Sequence, residues 1–327
     1  TKEETFVYPI FMIEHFLRAF DLLTDLVFYS SFPEIEIEKE KDVILDEISS
    51  YEDSPSELIF DDFENLLYKE HALGHNILGE EETLERFSTT TGKSFMNRYY
   101  TPGNMVFFSM GDIPFNKIVK WAESLFSTLP AHSSPQKRKV PTLSSASSLT
   151  MSKETHQAHV MIGSHAFSMF DEKRIPMFLL NNIIGGPGMN NRLNVSLREH
   201  NGLVYSVESN ITSYTDTGLF SIYFGTDPKN KEKAIRLVHR EIEKLHETKL
   251  TEKQLTAAKK QALGQLGVSI DNREGLFLNM GKSFLHYNFF ASMEEVFNQI
   301  NDITAEGILD IAQTVLAPDK LFMLSYD

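Results

Sequence analysis

The 327-residue sequence contains no cysteine. That absence removes disulfides, thiolate metal sites and cysteine nucleophiles together. It fits a reducing compartment, with a cytoplasmic setting favoured. Positive charge is also short: 31 Lys and Arg face 46 Asp and Glu, for a formal net charge of -15. Nucleic-acid binding needs a basic face, so no nucleic-acid partner is expected. No apolar run approaches the roughly 18 residues that span a bilayer, and no membrane partner is expected either. The opening "TKEETFVYPIF" lacks an initiator Met, a signal h-region and transit-peptide character. A complete zincin signature is missing as well. Phe11-Met12-Ile13-Glu14-His15 has the frame of His-x-x-Glu-His, but Phe occupies the first His position and offers no lone pair.

What is present reads as a soluble globular chain, 41% hydrophobic and 24% charged. A strand is predicted over Thr5–Tyr8 and a helix over Ile13–Val27, with Phe16, Phe20, Leu23 and Val27 as its apolar stripe. A Glu-rich helix follows in "EIEIEKEKDVILDEISSYED". Ser54-Pro55-Ser56-Glu57 predicts a capping box with Pro at the first helical position, opening a helix with Ile59, Phe63 and Leu66 inward. "NMVFFSMGDI" reads as a buried strand and "FNKIVKWAESLF" as an amphipathic helix. Residues 132–148 are rich in Ser, Pro and basic residues and predict a linker. Beyond it, strand, helix, Gly-rich turn, helix and two strands recur before a helical end, with a second capping box at Thr251–Gln254. "SIYFGTDPKNKEKAIRLVHREI" loosely echoes "VFFSMGDIPFNKIVKWAESLF", which suggests two related halves. The expected division is 1–131, a linker over 132–148, and 149–327.

Several residue sets offer chemistry, and each has a plainer reading. His71 and His75 are four apart, but Leu73-Gly74 marks a helix end where that spacing loses its meaning. His156 and His159 sit at a strand start on opposite faces. Glu40 and Glu47 are seven apart, two turns along one helix face, with Val43 and Ile44 between them. Buried, such carboxylates demand a cation or a proton; solvated, they are an acidic helix face, the better reading of spacing alone. Gly185, Gly186 and Gly188 lie in a turn without the Lys-Ser/Thr of a phosphate loop, which leaves a turn that approaches a peptide or another backbone. Arg198 and Tyr205 could hold a carbonyl and donate to an oxyanion, though alone they are more often a surface Arg and a sheet Tyr.

Taken in order, "TKEETFVY", "EIEKEKDVILDEISSYEDSPSEL", "HALGHNILGEEE", "YYTPGNMVFFSMGD" and "GGPGMNNRLNVSLREHNGLVYSV" resemble the pitrilysin/insulinase family of zinc metallopeptidases, which includes the processing peptidases. The resemblance runs over essentially the whole chain. It implies an α+β architecture of two homologous domains, each a mostly antiparallel sheet covered by helices, facing each other across a chamber.

It also implies roles. Glu47 matches the third zinc ligand and Glu40 an acidic residue supporting it. Arg198 and Tyr205 match an Arg/Tyr pair that holds the peptide and steadies the oxyanion. Gly185, Gly186 and Gly188 match a loop that handles substrate, and Thr1 the end of an edge strand onto which substrate backbone is added. The family's His-x-x-Glu-His lies upstream of the segment matching "TKEET", so two His ligands and the catalytic Glu are absent from these residues. An N-terminally truncated zinc endopeptidase, acting on peptides or small unfolded polypeptides and inactive as this fragment, is the expectation. The alternative is a non-catalytic peptide- or partner-binding subunit. The resemblance further implies zinc as cofactor in the intact parent and a homodimer.

Overall fold

The computed structural model describes residues 2–127, 129, 138–153 and 155–327. Its helices are α1 (Phe16–Phe28), α2 (Glu34–Glu52), α3 (Pro55–Leu67), α4 (Glu81–Leu84), α5 (Thr89–Tyr99), α6 (Phe115–Phe126), α7 (Arg174–Ile184), α8 (Lys231–Glu247), α9 (Glu252–Ser269), α10 (Arg273–Tyr287), α11 (Met293–Asn301) and α12 (Ala305–Val315). The strands are β1 (Ser148–Met151), β2 (Ala158–Ala166), β3 (Val204–Ser213), β4 (Gly218–Thr226) and β5 (Phe322–Tyr326). The protein is therefore of the mixed α+β class. Two compact units interleave along the sequence: residues 1–48, 78–139 and 272–290 form one, and 49–77, 140–271 and 291–327 the other.

The second unit is built on a five-stranded sheet in the order β1-β5-β2-β4-β3. β1 and β5 run parallel, and the remaining pairings are antiparallel. Both faces of the central strands are largely buried, so their sequences are mostly apolar, with small buried polar residues such as Ser164, Ser221 and Ser325, rather than alternating. Val160, Ile162, Phe220, Ile222 and Phe224 face one core, shared with α7, α8 and α12. Met161, Leu219, Phe322, Leu324 and Tyr326 face a second core, closed by Ile59, Phe63 and Leu67 of α3. Three tyrosines pin α3 and its end to the sheet. Tyr326 Oη donates to Asp62 Oδ2 at 2.6 Å, Tyr214 Oη to Glu64 Oε1 at 3.1 Å, and Tyr68 Oη to the Gly218 carbonyl at 2.8 Å. Gly163 permits the close β2–β4 approach, since a Cβ there would lie 2.0 Å from the Phe220 carbonyl oxygen.

The first unit packs around aromatic rings. Phe16 stacks on Trp121 with ring centroids 5.1 Å apart, and Phe20 meets Phe107 edge-on at 5.3 Å. Glu4 ion-pairs with Lys282, and His286 Nε2 lies 3.2 Å from its other oxygen. Burial alone would raise the Glu4 carboxyl, but Lys282 and His286 outweigh it and hold it below the ordinary carboxylate value.

Three local expectations are corrected. Neither residues 5–8 nor 104–113 form a strand, so this unit contributes none among the described residues. Apolar alternation makes a segment compatible with a sheet, whereas a strand also needs a neighbour in register to share its ladder. Consequently, of the two echoing stretches, only the later one realises strand, turn and helix, as β4 and α8. Ser54 does precede α3 with Pro55 at its first position, but the Ser54 side chain makes no capping hydrogen bond. At Thr251 the box forms fully: Thr251 Oγ1 accepts from the Gln254 amide at 3.3 Å, and Gln254 Oε1 accepts from the Thr251 amide at 2.9 Å.

Candidate functional site

In the second unit, α7 ends where Gly185 and Gly186 turn the chain, and both of their amides donate to the Asn181 carbonyl, at 3.1 and 2.9 Å. A Cβ on Gly186 would lie 2.7 Å from Asn182 Cα, and Gly188 has φ +116°, a conformation strained for any L side chain. These glycines are required by backbone proximity and sign of φ. The Ser209 amide of β3 donates to the Gly185 carbonyl at 2.9 Å, tying the turn to the sheet edge. From the other side, Gln265 Nε2 of α9 donates to the Pro187 carbonyl at 2.7 Å, and Asn190 Nδ2 donates to Gln261 Oε1 at 2.9 Å. Met189 projects outward at the tip, 66% exposed.

The chain then enters a π-helical turn, Asn194–Glu199, where a regular helix was expected. Its hydrogen bonds widen accordingly: the His200 amide reaches back to the Val195 carbonyl at 3.0 Å, five residues away. Shortly afterwards β3 opens with a bulge between Val204 and Val207. A bulge inserts an unpaired residue and re-aims its side chain. The two irregularities bring the Arg198 guanidinium 5.9 Å from the Tyr205 ring centroid. Tyr205 stands 88% exposed, although it belongs to a strand of the sheet. An exposed phenol beside a guanidinium can offer two donors to one carbonyl oxygen.

Asn191 joins the turn to the π-helical segment. Its Nδ2 donates to the carbonyls of Gly186 and Gly188, both at 2.7 Å. Its Oδ1 accepts from the Asn194 amide at 2.8 Å and from Asn194 Nδ2 at 3.2 Å. Asn194 Nδ2 also reaches the Val207 carbonyl at 3.3 Å. Sequence reasoning missed both asparagines. The signal was an Asn three residues before the backbone amide it caps, a local Asx pattern inside "GMNNRLN".

In the first unit, Glu40 and Glu47 lie on α2 as expected, and both are exposed. Thr1 lies outside the described residues. His71 caps the short 3-10 turn Ala72–Gly74 by accepting from the Leu73 amide at 3.2 Å, and His75 follows that turn. The plainer reading of "HALGH" thus holds. His159 spends its Nδ1 on the Tyr223 hydroxyl at 2.8 Å. Burial lowers the His159 imidazole, and burial with the Glu208 charge pushes the Tyr223 phenol up to about 12.

The family description "Peptidase M16 inactive domain" matches residues 89–262, and "Insulinase (Peptidase family M16)" matches residues 1–81. The chain belongs to the M16 peptidase family. Curated relatives agree with this M16 assignment. The uncharacterized zinc protease YmxG of Bacillus subtilis is 32% identical over 99% of this chain and 78% of its own length. An uncharacterized zinc protease of Rickettsia felis is 30% identical over 96% of the chain and 76% of its own length. The crystal structure titled peptidase M16 inactive domain from Pseudomonas fluorescens has the same fold. It superposes with a TM-score of 0.87 at 24% identity, over 96% of this chain and 75% of that one.

The relatives are named zinc proteases, which makes zinc the ion that a donor set of this family has to fit. Zinc in proteins takes three or four N, O or S donors converging at about 2.0–2.3 Å. Among the described residues no three His, Cys, Asp or Glu side chains gather to hold a metal ion. The described residues therefore do not fit zinc by themselves. No helix among them is long and apolar enough to cross a membrane.

Proposed function

We propose that this chain forms part of a zinc-dependent endopeptidase acting on peptides or small unfolded polypeptides, and that by itself it handles peptide without hydrolysing it. The observation that carries this reading is the Arg198/Tyr205 pair, held at 5.9 Å by a π-helical turn and a bulge with the phenol 88% exposed. Two consecutive backbone irregularities are costly for a purely structural sheet edge and recur where a side chain must be aimed. In this reading the pair donates to a peptide carbonyl, and the turn at Gly185, Gly186 and Gly188 runs beside the bound backbone. Glu47 serves as the third zinc ligand with Glu40 supporting it, and donors from outside residues 1–327 complete the set. The intact parent would be a homodimer, to be tested by size exclusion with light scattering.

The absence of a three-donor cluster among the described residues, with the match to a domain described as inactive, favours a second reading. There the chain is a peptide-binding subunit without chemistry of its own. The experiment that separates the two compares residues 1–327 with the gene product that includes the codons upstream of Thr1. The longer product should cleave a quenched unstructured peptide and lose that activity to a chelator. The 1–327 chain should bind the same peptide without cleaving it, and Arg198→Ala should weaken binding about ten-fold, the loss of a charged donor to a carbonyl. A longer product without His-x-x-Glu-His and without cleavage would establish the subunit reading instead. Peptide binding unaffected by Arg198→Ala would remove the site itself.

A further inference from the structure

We infer that Asn191 is a positioning residue: with Asn194 it forms a two-amide relay that holds the Gly185–Gly188 turn and the Arg198/Tyr205 pair in one fixed relation. The inference rests on the reading above, in which that pair contacts peptide.

Asn191 is only 3% exposed and makes four side-chain hydrogen bonds. Its two N–H donors go to two carbonyls of the turn, and its oxygen takes both Asn194 contacts. Every polar function of the amide is used, two N–H donors and both lone pairs of the oxygen. The division matters more than the number. Its donors all face backward to the turn and its acceptor faces forward to the π-helical segment, so neither side can shift without breaking bonds on the other. Asn194, 9% exposed, carries the link onward to Val207, where β3 resumes its register after the bulge. The path from Gly186 to the strand bearing Tyr205 is thus a continuous chain of buried amide hydrogen bonds.

Nearby amides make the contrast. Asn181 Oδ1, both side-chain atoms of Asn182, and Gln265 Oε1 are buried without a partner among the described residues. Asn182 and Gln265 lie against the same turn. Buried amides around this turn are therefore not saturated as a matter of course, and the saturation of Asn191 is specific. Gln265 holds the turn from α9 without reaching Arg198, which makes it the internal control.

The test uses the full gene product and a chelator-sensitive cleavage assay, with wild type, Asn191→Ala, Gln265→Ala, Arg198→Ala and the double variant N191A/R198A. Asn191→Ala should lower kcat/KM by about ten-fold or more, as small displacements of a positioned group do. In the Arg198→Ala background the same change should cost less than about two-fold, because the group it positions has gone. Gln265→Ala should stay within about three-fold and be additive with Arg198→Ala. A cost for Asn191→Ala that is equal in both backgrounds would make Asn191 merely structural and overturn the inference. A wild type that does not cleave would count against the functional reading alone. The relay is then judged by amide hydrogen exchange of residues 1–327. Asn191→Ala should speed exchange both at 185–191 and at 194–209; acceleration confined to 185–191 would overturn the coupling.

Discussion

His165 sits in β2 among aromatic rings, its centroid 5.4 Å from that of Tyr68 and 5.6 Å from that of Phe322. Neither of its ring nitrogens has a partner among the described residues, and burial lowers its affinity for a proton below the ordinary value of 6.5. The folded protein therefore keeps the imidazole neutral while the unfolded chain protonates it near 6.5. The unfolded state binds the extra proton, so this contribution is complete above that pH and is lost as pH falls below it. His159 and His239 are lowered by burial too and act with the same sign. The urea midpoint is expected to fall between pH 7 and pH 5, and His165→Phe should flatten part of that fall. An unchanged slope in the variant would assign the loss to other groups. At this scale the sequence was legible for residue pairs but not for their surroundings. Arg198 and Tyr205 were recognisable as a pair, yet seven residues of separation carry no sign of the π-helical turn and bulge that bring them together. One extra residue in a turn leaves no compositional trace.

Helix ends separate a motif from its hydrogen bonds. Thr251 and Ser54 both open recognisable capping sequences, but only Thr251 closes its box. Thr251→Ala should therefore cost about 1 kcal/mol in urea unfolding, and Ser54→Ala should stay within about 0.5 kcal/mol. Equal losses at the two positions would contradict the observed bonding. α3 shows the opposite case, where the periodicity told enough. Ile59 and Phe63 are fully buried and Leu66 partly so, as its apolar spacing predicts. Phe63→Ala should cost about 3–5 kcal/mol, the usual range for a buried aromatic truncated to leave a cavity. Three strands of the second unit, β2, β3 and β4, were legible because each carries β-branched or aromatic residues, whereas β1 and β5 went unread. Segments 5–8 and 104–113 share that composition and still form no ladder, since pairing depends on a neighbour that local sequence does not report.

Across the whole chain, linear order and compact units part company. A Ser/Pro-rich segment at 132–148 reads as a divide, yet residues 49–77 fold with the second unit and residues 272–290 with the first. Both excursions are helical, and amphipathic helices disclose which face they bury but not against what. β5 is the second whole-chain feature that local signals understate. It lies between β1 and β2, with Phe322, Leu324 and Tyr326 no more than 1% exposed. Deletion of residues 322–327 should abolish cooperative unfolding of the second unit, read as loss of its sigmoidal denaturation curve. A deletion variant that kept a wild-type midpoint would show that this strand is dispensable.

That inner strand also sets a timetable. During synthesis α3 emerges early with its apolar stripe ready, while the strand it covers is made after every other strand of the sheet. Until residue 326 exists, the core beneath α3 cannot close, and the long-range pairing of β1 with β5 waits as well. A nascent chain therefore exposes the apolar stripe of α3 until β5 has been made. Interruption before β5 leaves Ile59, Phe63 and Leu67 of α3 without the strand that covers them, a sticky face in an otherwise assembled unit.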